Sequence, residues 1–190
     1  MEVMIAKDWE GRSLPFANAY WVLPDRLLAG EYPLHYHPED SRRRLAELFD
    51  HSIRVVIDLT EPAEIYRLGP EHPPYDALVK EVAESRGCEA TYRSMPFVDL
   101  GVPPRFHMMK ILDTIDAALA ENRPVYVHCW AGIGRTGTVV GCWLARHDYA
   151  ADFKLLEMIR QLREHTETAF MSSPQSRQQL DMVLSWVAGE

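Results

Sequence analysis

The chain has 190 residues, 47% of them hydrophobic and 25% charged, the balance of a soluble globular protein with room for one sizeable core. Its net charge of −8 argues against broad nucleic-acid or anionic-membrane binding, which needs a basic face, but leaves room for a small local anion site. No apolar run approaches the roughly 18 residues of a membrane span, and the first residues lack a signal peptide's basic start and long apolar middle, so a cytoplasmic chain is expected.

Strands and helices alternate along the chain. "DRLLAGEYP" reads as a short strand near Arg26–Ala29 followed by a turn. Pro38 and two acids open a helix with Leu45, Leu48 and Phe49 on one face. Ile53–Thr60 is β-branched, continuous and short, as a buried parallel strand is. A helix from about Pro74 closes at Gly87, and "CEATYRSMPFV" is strand-like. The next helix, from about Pro104 to Asn122, spaces Phe106, Met109, Leu112, Ile115 and Leu119 as one face, with Met108 as core filler. "PVYVHC" is a buried strand, and a helix runs from about Arg135 to Asp148. Two amphipathic helices close the chain, with Leu155, Ile159 and Leu162 in the first and Leu180, Val183, Leu184 and Val187 in the second. This order implies an α/β fold with a mostly parallel central sheet, helices on both faces, and ligands at the carboxyl ends of the strands. A single domain over residues 1–190, with its core at about 18–186, is expected.

One stretch concentrates chemistry. "VHCWAGIGRTG" (Val127–Gly137) puts a cysteine where the strand must end and an arginine six positions later. Cys88 and Cys142 lack such an arginine, and three cysteines without CxxC spacing suggest neither a disulfide framework nor zinc. Gly132 and Gly134 let the backbone curl, so that successive N–H groups over Trp130, Ala131, Gly132, Ile133 and Gly134 aim inward as an anion nest. The following helix adds its positive end, and Arg135 a planar fork that matches two phosphate oxygens. The same field favours the thiolate of Cys129, which is then poised for in-line attack and a phosphocysteine intermediate. Thr136 is expected to donate its hydroxyl to that thiolate, and His128 to order the loop from behind.

"HCWAGIGRTG" resembles the signature of the cysteine-dependent protein tyrosine phosphatases, and the length and layout resemble their small dual-specificity-type branch. "NAYWVLPDRLLAGEYP" is similar to that branch's opening strand and turn, and "SPQSRQQL" to the start of its closing helix. The resemblance implies a metal-independent phosphatase without a cofactor, acting on a phosphorylated protein or a small phosphomonoester. It also implies a water-positioning glutamine, for which Gln179 fits the spacing better than Gln178.

A phenolate or alkoxide leaves poorly unless protonated, so a general acid is expected on another loop at the same sheet edge. Asp99, in "SMPFVDLGVPP", follows a strand, sits beside Gly101 and is held by Pro96, Pro103 and Pro104, a stretch that also resembles the family's acid loop. Asp58 and Glu61, at another strand's end, are alternative acids. Ionised Cys129 with protonated Asp99 predicts a bell-shaped dependence of rate on pH, peaking on the acid side of neutral.

Other features carry less. His35 and His37 lack a third metal ligand, Arg42–Arg44 read as a solvated helix face, and Cys142 as a small buried residue. The ring of Trp130 either packs away from the pocket or forms its rim. The alternatives to a protein phosphatase are an inositol phosphate or phosphoinositide phosphatase and a phosphate-binding module without turnover. The lipid branch carries lysines in the loop where this chain has Trp130 and Ile133, and a non-catalytic module would have lost the cysteine, arginine or acid.

Overall fold

The computed structural model describes residues 13–68 and 74–190. The first twelve residues, read above for targeting signals, lie outside them. Five strands form one sheet, β1 (Ala19–Leu23), β2 (Leu27–Gly30), β3 (Val55–Asp58), β4 (Thr91–Ser94) and β5 (Val125–His128), in the order β1-β2-β5-β3-β4. β2, β5, β3 and β4 are parallel, and β1 pairs antiparallel with β2 at the edge. The strand expected near Arg26–Ala29 is therefore the second arm of a hairpin. Burial of nearly every residue in "AYWVL" removes the period-two pattern that would mark the first arm.

Helices α1 (Pro38–Asp50) and α2 (Tyr75–Ser85) cover one face of the sheet. α3 (Arg105–Ala120), α4 (Gly134–Arg146), α5 (Phe153–Leu162) and α6 (Arg177–Leu184) cover the other. Pro38 at the start of α1 and the acids Glu39 and Asp40 in its first turn favour its amino end. Its buried face is Leu45, Leu48 and Phe49, as the spacing predicts.

Three expectations about faces need correction. In α3 the buried stripe is Met108, Ile111, Leu112, Ile115, Ala118 and Leu119, which turns Phe106 and Met109 outward. A small residue, Ala118, completes the stripe, so counting large apolar residues alone sets the phase wrongly. In α6 the inward residues are Gln179 and Val183, with Trp186 just beyond the helix, while Val187 is exposed. In α1, Arg44 is not solvated: it pairs with Glu31 and lies over the Phe16 ring.

Candidate active site

The parallel register lines up the strand ends. Gly30 pairs with His128, His128 with Asp58, and Asp58 with Ser94. The segments that follow these residues emerge at one edge: Glu31–Tyr32, the Cys129 loop, Leu59–Leu68, and Met95–Gly101. Residues distant in sequence meet here because the sheet is parallel.

The Cys129 loop is fixed from all sides. Cys129 is buried at its base. Tyr32 N–H donates to the Trp130 carbonyl at 3.0 Å, and the Ser173 hydroxyl to the Ile133 carbonyl at 2.7 Å. Gly132 takes φ of +70°, and a Cβ there would lie 2.5 Å from the Gly30 carbonyl carbon, so the close approach to β2 admits only glycine. α4 begins at Gly134, and every residue from Gly134 to Ala145 is buried. Its unpaired amino-terminal N–H groups and dipole face the curl of the loop. Behind it, His128 is fully buried, with Nε2 3.1 Å from the Tyr75 hydroxyl and Nδ1 3.3 Å from the Cys129 carbonyl. Burial pushes the imidazole below its ordinary pKa against the pull of Asp58, so His128 is a neutral strut. Thr136 departs from expectation: its hydroxyl donates to the Gly30 carbonyl at 3.4 Å, because α4 runs close under the end of β2.

Arg135 has no solvent exposure, and its donors can be accounted for one by one. Nη1 donates to Glu64 Oε1 at 2.5 Å and to the carbonyls of Leu59 and Phe97 at 3.2 and 3.3 Å. Nη2 donates to Glu64 Oε2 at 2.9 Å. That leaves the second Nη2 hydrogen and Nε–H, the side-on fork of the guanidinium. Nε is buried and makes no hydrogen bond, yet Asp99 Oδ1 stands 3.3 Å from it. Burial opposes both charges of the Arg135–Glu64 pair, and their hydrogen bonds outweigh it. The guanidinium pKa is raised, and the Glu64 carboxyl is held below the usual carboxylate range.

Asp99 is half-exposed on its loop, beside Leu100, which holds φ of +59° in a tight turn closed by Gly101 N–H to the Val98 carbonyl at 3.0 Å. The loop is tied down at several points, among them Phe97 N–H to the Leu59 carbonyl at 3.3 Å. The Phe97 carbonyl accepts from Arg135, and the Gly101 carbonyl accepts from Gln179 Nε2 at 3.1 Å. Gln179 is fully buried, whereas Gln178 is exposed. Its Oε1 accepts from the amides of Gln175 and Ser176, and its own N–H donates to the Ser176 hydroxyl, forming the capping box of α6. One Nε2 hydrogen is thus engaged on the acid loop and Oε1 on the helix cap.

The remaining candidates sort by geometry. Asp58 is buried and accepts from the Thr60 hydroxyl and amide and from the Tyr92 hydroxyl. The Glu61 amide donates to Glu64 Oε1. Burial pushes the Cys142 thiol far up, which leaves it protonated in the core. The Trp130 ring stacks on Tyr32 at 5.2 Å, partly buried on the α1–α2 side of the sheet. Glu64 was not singled out in the sequence. The signal available was indirect: a buried arginine demands a carboxylate, and Glu64 stands in the segment after the neighbouring strand.

A sequence model of the family described as "Polymorphic toxin system, DSP-PTPase phosphatase" matches residues 35–149. The chain belongs to that family. This member of the cysteine-based phosphatase superfamily is 26% identical over 138 residues to the dual specificity protein phosphatase CDC14B of Mus musculus, a match covering 67% of this chain. The match covers 24% of that relative, so this chain spans about a quarter of its length. Among solved structures, PTPMT1 in complex with PI(5)P superposes with a TM-score of 0.65 at 22% identity, over 88% of this chain and 93% of that one. TpbA of P. aeruginosa in complex with pTyr gives 0.61 at 17% identity, over 92% and 87%. These likenesses support the fold. Among the described residues no helix is long and apolar enough to cross a membrane.

Proposed function

We propose that this chain is a phosphomonoesterase that removes phosphate from phosphotyrosine in proteins, and from phosphoserine and phosphothreonine where the pocket admits them. The observation that carries this reading is the unused fork of Arg135. Its two N–H groups that make no hydrogen bond sit under a glycine loop that starts at Cys129, beside the carboxyl of Asp99. A phosphoryl dianion supplies the partners that this buried fork lacks.

In the first step the Cys129 thiolate attacks phosphorus in line, the P–O bond to the leaving oxygen breaks, and Asp99 hands that oxygen its proton. In the second, the Asp99 carboxylate takes a proton from water, the water oxygen attacks phosphorus, and the P–S bond breaks to return the thiolate and release phosphate. Residues 130–134, the amino end of α4 and the Arg135 fork hold the equatorial oxygens throughout, so charge is stabilised where it develops. Glu64 and His128 act as positioning residues, one holding Arg135 and the other the Cys129 carbonyl. Thr136 belongs with them through Gly30. The three cysteines among the described residues are unpaired, which supports a reducing, cytoplasmic setting.

The test is release of nitrophenol from p-nitrophenyl phosphate, with competitive inhibition by vanadate. Cys129→Ser is expected to abolish turnover while phosphate binding persists. Equal turnover by the wild type and Cys129→Ser would sink the enzyme reading. A panel of phosphotyrosine, phosphothreonine, phosphoinositide and inositol phosphate substrates separates the protein reading from the inositol phosphate or phosphoinositide alternative.

A further inference from the structure

Two arginines meet Glu64. Arg135 is sealed beneath the loop, and Arg67 stands outside it, with Nη1 3.7 Å from Glu64 Oε2 and a side chain that is 54% exposed. The Arg67 guanidinium carbon also lies 5.1 Å from the centre of the Trp130 indole. That indole stacks on Tyr32 with an interplanar angle of 23°, which fixes it as a flat support for a cation. Trp130 directly follows the nucleophile. The site therefore has a second positive charge at its rim, separate from the fork that takes the phosphate, where Trp130 itself supplies none.

Beside the acid loop the surface is largely apolar. A cavity of about 470 Å³ lies between the acid loop and the start of α3, lined by Pro96, Phe97, Val98, Pro103 and Phe106 among others. Val98, Leu100 and Phe106 are large apolar side chains left exposed around Asp99, an arrangement that marks an interaction surface.

We infer that Arg67, laid on its Tyr32–Trp130 platform, reads a carboxylate beside the phosphorylated residue of a peptide. The inference rests on the protein-phosphatase reading above and names its substrate class. A guanidinium fork suits a carboxylate and a second phosphate alike. The apolar cavity disfavours a free inositol polyphosphate, which has no apolar group to fill it; a peptide presents charged and apolar side chains on the two sides of its phosphorylated residue, and a phosphoinositide, whose acyl chains are apolar too, is separated from it by the experiment.

The experiment uses two phosphotyrosine peptides that differ only in carrying Glu or Ala next to the phosphorylated residue. p-Nitrophenyl phosphate reports the chemistry alone. A half-exposed ion pair is worth about a two- to fivefold preference in kcat/KM for the acidic peptide. That preference is expected to vanish in Arg67→Ala, to invert in Arg67→Glu, and to shrink in high salt. An unchanged preference in Arg67→Ala overturns the inference. So does an equal fall on both peptides and p-nitrophenyl phosphate, which would mean that Arg67 acts only through Glu64 on Arg135. An Arg67-dependent preference for inositol bisphosphate over monophosphate, or for a phosphoinositide in vesicles over p-nitrophenyl phosphate, without one for the acidic peptide also refutes it. Failure of wild type to turn over p-nitrophenyl phosphate at all is a different result: it defeats the enzyme reading first and this inference with it.

Discussion

Glu64→Ala is the sharpest perturbation available at the site. It removes the only carboxylate hydrogen-bonded to a guanidinium that has no solvent exposure, among the described residues. Breaking one partner of a buried ion pair costs about 3–5 kcal/mol, because the other charge stays buried. Here the carbonyls of Leu59 and Phe97 still hold Nη1, and Asp99 still faces Nε, so the lower end, about 3 kcal/mol, is expected. The kinetic effect has a different origin. Without its end-on clamp the Arg135 fork can rotate away from the loop, and a displacement of about 1 Å at such a group costs on the order of 100-fold in kcat/KM. Urea unfolding at constant m reads the first effect, and steady-state hydrolysis of p-nitrophenyl phosphate the second. Glu64→Gln, which keeps one acceptor, is expected between the two. A Glu64→Ala variant within about 1 kcal/mol of wild type and within about threefold in kcat/KM would refute the claim that this pair positions the fork.

The same pair gives a pH dependence. The folded-state pKa of Glu64 is depressed, burial being outweighed by Arg135, so its stabilisation is present above the unfolded value of about 4.3 and is lost as pH falls through the folded one. Urea midpoints should drop more steeply below about pH 4 in the wild type than in Glu64→Ala. Gln179→Glu keeps the acceptor for the α6 cap but loses the donor to Gly101. Turnover of phosphotyrosine, whose leaving group needs a proton, should fall about tenfold, and a substrate with a weakly basic leaving group should lose less; equal losses would argue against a role in setting the acid loop. Gly132→Ala must place a Cβ 2.5 Å from the Gly30 backbone at φ of +70°, and should destabilise by about 2–4 kcal/mol with near-complete loss of turnover. Thermal unfolding and activity within about twofold of wild type would show that the loop is not seated on β2 as described.

The parts of the site carried by one continuous stretch were legible in the sequence. Strand, cysteine, glycines and arginine follow one another from Val125 to Arg135, and local rules suffice to read them. Asp99 was legible one step further, because parallel topology brings its loop to the same edge, and its carboxylate does stand beside Arg135. Glu64 was not. It pairs with a residue 71 positions away, from a 3₁₀ segment (Pro62–Leu68) whose short pattern gives no phase for saying which side chain points inward. Gln179 could be picked out by resemblance, but its full burial could not: hydrophobic periodicity has no means of predicting that a glutamine occupies a core position because its amide finds partners there. The direction of the Trp130 ring depended on Tyr32, ninety-eight positions earlier, and no local rule links them.

The complete burial of α4 from Gly134 to Ala145 has a consequence for how such a protein can change. The nucleophile and the phosphate-binding arginine are anchored in the part of the molecule least tolerant of substitution, while Arg67, Val98, Leu100 and Phe106 stand on exposed ground around them. Selection, or a designer, can rewrite which molecules are admitted by altering those outer residues and leave the reaction untouched. A change of reaction would require rebuilding the core.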